Sequence, residues 1–248
     1  MNARALVRIG GLVLLFLVCA PIHVAAKLLT GGRSRWPRRF LAAAAWIIGA
    51  RVRTTGTPIG PHTLLVANHT SWLDILILGG AANAAFVSKA ELGHPFIHWL
   101  ADQNGTVYVK RAHVRGARDQ AIALAKALEG AKPITVFPEG TTGPGTHLLP
   151  FRSTLLEAAN FASRDVAIRP IAVDYGDSQA EVDWYEEKGV DNVKRILGRR
   201  GTLRVTVHML TPLDPGLDRK QLTHEARERI AKTLGFRSPA RSRIGTAE

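Results

Sequence analysis

Thr63-Leu64-Leu65-Val66-Ala67-Asn68-His69-Thr70-Ser71-Trp72-Leu73-Asp74 passes from an unbroken apolar run through a polar turn into a helical start. A run of this length without apolar–polar alternation predicts a strand covered on both faces. Runs of the same kind recur at 85–88, 106–109, 134–137, 167–173 and 203–208, with helical stretches at 71–79, 90–100, 116–129, 151–162 and 219–234. Strands alternating with helices argue for an α/β domain with a largely parallel sheet flanked by helices. Residues 176–201 are polar and acidic, and predict an irregular excursion.

Chemistry enters where the first of these strands ends. His69 falls in the turn, Asp74 five residues on, in the first turn of the next helix. Open α/β sheets gather ligands at the carboxyl ends of their strands. A carboxylate that takes the N–H of one ring nitrogen fixes the tautomer, so that the other nitrogen can collect a proton. Ser71-x-x-Asp74 also has the spacing of a capping box, in which Asp74 simply closes the helix start.

Two further strand ends carry candidates. Ile134-Thr135-Val136-Phe137-Pro138-Glu139-Gly140-Thr141-Thr142 frames a Glu between Pro and Gly, which favours either a ligand-facing turn or an ordinary surface turn. It is not a phosphate loop, because Thr146 stands where the phosphate-binding Lys belongs. Gly105-Thr106-Val107-Tyr108-Val109-Lys110-Arg111 delivers two adjacent cations to a strand end, suited to an anionic substrate group or to a basic surface turn. No Gly-x-Ser-x-Gly elbow exists, and the only cysteine, Cys19, lies in an apolar segment. Acyl-enzyme chemistry on Ser or Cys is therefore unsupported. His94 and His98, spaced i,i+4, lack the accompanying pattern of a zinc helix and read as satisfied helix histidines.

The bulk numbers set the surroundings. The 248 residues are 46% hydrophobic and 21% charged, with a formal net charge of +13. That apolar content excludes disorder, and one cysteine excludes a disulfide scaffold. Residues 1–53 hold nine basic side chains and no acidic one; the first carboxylate is Asp74. Residues 9–26 carry no formal charge, and as a helix would cover roughly 27 Å, close to the thickness of bilayer hydrocarbon. A second, shorter apolar stretch spans 40–48. We read residues 1–53 as a basic, apolar pair of membrane-anchoring helices whose Arg and Lys flanks meet anionic headgroups, spanning or dipping into one leaflet. A cleaved secretory signal and a soluble helical hairpin are the other readings of this segment. No nucleic-acid-binding signature accompanies the charge, so nucleic acid is not expected as a partner. The α/β domain is expected over 54–236, and 237–248 as a basic, frayed tail.

Taken in register, Asn68-His69-x4-Asp74, Gly105–Arg111, Phe137-Pro138-Glu139-Gly140-Thr141 and Ile168-Arg169-Pro170-Ile171 resemble the four blocks of the glycerolipid acyltransferase family, most closely bacterial 1-acyl-glycerol-3-phosphate acyltransferases. The likeness covers about residues 40–215. It implies a glycerolphosphate-acyltransferase-like α/β domain at the cytoplasmic side of the inner membrane, transferring a fatty acyl group from acyl-CoA or acyl carrier protein without a covalent enzyme intermediate or resident cofactor. On the family pattern His69 is the general base and Asp74 its orienter. Lys110 and Arg111, with Asn68, Glu139, Gly140 and Thr141, would line the acceptor, a lysophospholipid expected to be lysophosphatidic acid. Many relatives follow the third block with Pro-Phe-Lys-Lys-Gly. Here Pro150-Phe151 leads into Arg152-Ser153-Thr154, with Arg152 keeping a positive charge on that wall. The alternatives are the same chemistry on another acceptor, such as lyso-ornithine lipid, and a non-catalytic adaptor that binds acyl carrier protein at the membrane.

Overall fold

The computed structural model describes residues 2–31, 34–89, 94–109 and 117–236. Helices α1 (Ala3–Leu29) and α2 (Trp36–Ile48) lead into strand β1 (Ala50–Gly56). Then follow β2 (Thr63–Ala67), α3 (Leu73–Ala81), β3 (Ala85–Lys89), α4 (Pro95–Gln103), β4 (Val107–Val109), α5 (Ala117–Leu128) and β5 (Ile134–Val136). The remainder is α6 (Ala158–Phe161), β6 (Ala167–Asp174), α7 (Gln179–Val182), α8 (Gly189–Gly198), β7 (Leu203–Met209) and α9 (Arg219–Thr233).

Seven strands form one sheet in the order β1-β7-β6-β2-β5-β3-β4, parallel throughout except where β6 meets β7. The expected largely parallel α/β sheet is therefore present. Strand β2 lies at its centre, and its alternate side chains serve opposite faces, as pleating demands. Leu65 and Ala67 pack with Leu73, Ile77 and Ile48 on the face covered by α2 and α3. Leu64 and Val66 pack with Leu124, Leu128 and Ala226 on the face covered by α5 and α9. Leu64 and Leu65 are both fully buried, each worth about 1.5–3 kcal/mol of transfer free energy. Covered faces on both sides explain the unbroken apolar run.

The amino-terminal helices are built into this domain. A Cβ at Gly80 would lie 2.8 Å from Ala42 Cα, so the small residue lets α2 and α3 approach closely. Ala44, Ala45 and Ile48 of α2 are core residues, and β1 pairs along its length with β7. The expected boundary between residues 53 and 54 thus falls inside a strand. Sequence reading passed over β1 because exposed Arg51 and Arg53 mark a thinly covered edge. It also passed over α8, whose Ile196 and Leu197 are buried, because the acidic stretch before it masked the helical period. The expected helix over 151–162 is instead a 3₁₀ turn at Thr154–Glu157 followed by the single turn of α6. Residues 90–93, assigned to a helix from sequence, and the tail 237–248 lie outside the described residues.

Candidate active site

Strands β6, β2 and β5 are adjacent and parallel, so their carboxyl ends converge at one edge of the sheet. Asn68 is the first residue beyond β2. Its side chain donates to Val173 O at 3.0 Å and accepts from Val173 N at 2.8 Å, extending the ladder between β2 and β6. Both functions of this buried amide are engaged by backbone. Asn68 therefore positions the turn that carries His69.

The next residue, His69, is held at four points. Its backbone N–H donates to Glu139 Oε1 at 2.8 Å, and its carbonyl accepts from Gly143 N at 2.7 Å. Its ring stacks on Phe137, with centroids 4.0 Å apart, and its Nδ1 lies 2.9 Å from Asp74 Oδ2. Asp74 is fully buried, so Nδ1 is read as the donor, leaving the Nε2 lone pair bare. Among the described residues Nε2 has no hydrogen-bond partner, and the side chain stays 18% exposed. A ring so constrained, with one nitrogen open, suits proton abstraction.

Asp74 does both of the jobs its spacing allows. Oδ2 also accepts from the amides of Thr70 and Ser71, at 2.7 and 2.9 Å, closing the start of α3. Oδ1 accepts from the Tyr175 hydroxyl at 2.5 Å. Burial, followed by the charge of Asp74, pushes the Tyr175 phenol well above its ordinary value. Tyr175 was not singled out by sequence reading, although its place just beyond a buried strand was the available signal.

Glu139 is buried, and its two oxygens take the amides of His69 and Leu149. Burial pushes its carboxyl up from the usual range, against the pull of those donors. It braces the loops from within. Gly140, at φ +74°, and Thr141 are exposed, and the Arg152 guanidinium lies alongside Gly140, where a Cβ would sit 3.3 Å from it. The backbone N–H of Arg152 donates to Pro138 O at 2.9 Å. These three residues form an exposed, cationic rim suited to an anionic head group. Lys110 and Arg111 lie outside the described residues.

The polar segment expected as an excursion closes the other side. Trp184 N donates to Thr70 O at 2.9 Å, the Thr142 hydroxyl donates to Trp184 O, and Gln179 Nε2 donates to Thr70 Oγ1 at 3.2 Å. It is thereby tied to both the His69 and Glu139 turns. No group of three metal-ligating side chains occurs among the described residues. His94 caps α4 by accepting from Phe96 N, and His98 stacks on Tyr108, so each has a local task.

An acyltransferase family model matches residues 51–174, the stretch from β1 through β6 that carries these turns. A lyso-ornithine lipid O-acyltransferase of Rhodobacter capsulatus is 30% identical over 255 aligned positions, covering 96% of this chain and 92% of the relative. The chain belongs to the acyltransferase family. A 1-acyl-sn-glycerol-3-phosphate acyltransferase of Neisseria gonorrhoeae is 33% identical to this acyltransferase over 122 positions, 48% of the chain and 47% of the relative. The crystal structure of the 1-acyl-sn-glycerophosphate acyltransferase PlsC from Thermotoga maritima superposes with a TM-score of 0.65 at 24% identity, covering 90% of this chain and 93% of that one.

Proposed function

We propose that this acyltransferase moves a fatty acyl group from a thioester, acyl-CoA or acyl carrier protein, to the free hydroxyl of a membrane lysolipid, with a lyso-ornithine lipid as acceptor. The observation that carries the chemistry is the His69–Asp74 pair at 2.9 Å with Nε2 open. The acceptor hydroxyl gives its proton to Nε2 as its oxygen attacks the thioester carbonyl. Asp74 stabilises the imidazolium that results. The carbon–sulfur bond of the tetrahedral intermediate then breaks, and the thiolate leaves with the proton held by His69. No acyl-enzyme forms in this sequence of steps.

The acceptor rests on the extent of likeness. In sequence, a lyso-ornithine lipid enzyme matches along nearly the whole chain and a glycerol-phosphate enzyme along about half. Lysophosphatidic acid, the acceptor expected from the motifs, becomes the second reading. It is supported by Arg152 beside Gly140, a cation that suits a phosphate or a carboxylate alike. Purified protein in vesicles, given a labelled acyl donor and both acceptors, separates them. We expect kcat/KM for lyso-ornithine lipid to exceed that for lysophosphatidic acid at least tenfold; the reverse order assigns the phosphate lipid. Replacing His69 by Ala should lower turnover about a hundredfold or more. Undiminished turnover would falsify the general-base reading.

The fold favours attachment to a single leaflet. Helix α1 is long and apolar enough to cross a membrane by length and composition. Both its ends, however, are tied to the same domain. Arg8 Nη1 donates to the carbonyls of Ile196, Leu197 and Arg199 at the end of α8, and near the other end His23 Nε2 lies 3.0 Å from Gln103 Oε1 of α4. Between these ties the exposed face presents Val13, Leu14, Leu17 and Val18. A helix held at both ends by one domain lies along the interface, where its apolar face meets acyl chains. We place the catalytic face at the cytoplasmic leaflet of the inner membrane, in keeping with the basic flanks.

A further inference from the structure

Tyr175 is 1% exposed and stands one residue beyond β6. Its distance to the catalytic turn is set by the sheet. β6 neighbours β2, and Asn68 locks the end of β2 to Val173, two residues before Tyr175. The phenol hydroxyl thereby meets Asp74 Oδ1 at 2.5 Å, while His69 and two backbone amides share Oδ2. We propose that Tyr175 is a positioning residue for the general base: by holding Oδ1 it orients the Asp74 carboxylate and draws charge from it, and so sets the basicity of His69. The inference rests on the reading of His69 as that base.

The buried charge of Asp74 is shared between its two oxygens. A hydrogen bond between a hydroxyl and a carboxylate is strong where water is excluded. Electron density drawn to Oδ1 leaves less on Oδ2, so the pull on the Nδ1 proton weakens. The imidazolium is then stabilised less, which tempers the basicity of the ring. Tyr175 remains a donor throughout, because its phenol is held far from ionisation. Of the other ionisable groups nearby, Glu139 faces the pair from the turn after β5. Asp174 precedes Tyr175, with His208 of β7 3.7 Å from it. Among the described residues, His69 is the only ion-pair partner of Asp74.

The test is the acidic limb of kcat/KM against pH in Tyr175→Phe, which removes the hydroxyl and keeps the ring. We expect the limb to move up by about one pH unit and kcat/KM on the acidic side of the limb to fall about tenfold, with KM for the acceptor little changed. A purely structural contribution would lower the rate at every pH and leave the limb in place. Site-specific 3-fluorotyrosine at position 175, a stronger donor of nearly the same shape, should move the limb the opposite way, and it decides the matter if the Phe variant does not fold. Nitrogen NMR of histidine-labelled protein assigns the limb to His69 rather than Glu139. An unmoved limb in folded Tyr175→Phe, or in the fluorinated protein, overturns the inference. Full turnover in His69→Ala would instead sink the base itself, so the two failures are distinguishable.

Discussion

The backbone N–H of His69 donates to Oε1 of Glu139 at 2.8 Å, joining two turns that lie 70 positions apart in the chain. Because Glu139 Oε2 holds Leu149 N as well, one buried carboxylate fixes both the His69 turn and the loop that leads to Arg152. Glu139→Ala leaves two amides without acceptors, a cost of about 2 kcal/mol or more. Thermal unfolding should register that loss, and kcat should fall more than tenfold as the His69 turn loosens. Glu139→Gln, which keeps one acceptor, should recover part of both. Equal kcat in Glu139→Ala and the parent would show that the brace is dispensable.

Arg152 lies on the exposed rim beside Gly140, away from the His69–Asp74 hydrogen bond. Its loss should therefore weaken binding of an anionic acceptor and spare the acyl-transfer step. For Arg152→Ala we expect acceptor KM to rise about tenfold while kcat stays within about threefold, as loss of uniform binding requires. Arg152→Lys should fall between the two. A drop in kcat at constant KM would place this guanidinium in the transition state instead.

Leu14 and Leu17 of α1 are 63% and 62% exposed, on the face turned away from the domain. Replacing both by Asp removes apolar area from the proposed membrane face without opening the core. Co-sedimentation with anionic vesicles should fall at least tenfold while the unfolding temperature stays within a few degrees. Vesicle binding that survives the double change would exclude this face as the contact.

Lys132 Nζ donates to Asn104 O and Oδ1 at 2.7 and 2.8 Å, and burial lowers its pKa to about 8 from 10.5. Between those values the unfolded chain holds a proton that the folded chain has released, so folding stability rises with pH across that window. The contribution is lost as pH falls through about 8. Lys132→Met abolishes this slope. Chemical denaturation should therefore show the parent gaining on the variant by roughly 2–3 kcal/mol from pH 8 to 10.5. Parallel curves for the two proteins would contradict the assignment.

His69 and Asp74 were legible as a pair because a turn of five residues places them within reach whatever surrounds them. The same holds for β2 and β5, whose apolar runs can be buried only between two helical layers. Contacts formed by strand order were not legible. Tyr175 reaches Asp74 across 101 positions, and Asn68 reaches Val173 across 105, only because β6 lies beside β2. The amino-terminal helix belongs to the same class. Its composition fits a span, a surface helix or a core helix equally, since the hydrophobic effect has no direction of its own. Arg8 and His23 settle which face turns inward, through polar bonds to α8 and α4 that no local pattern encodes. Short-range geometry thus follows from the order of residues alone, whereas the partners of each buried polar group wait on which strands become neighbours, because such groups must be satisfied wherever the packed chain brings a donor or acceptor.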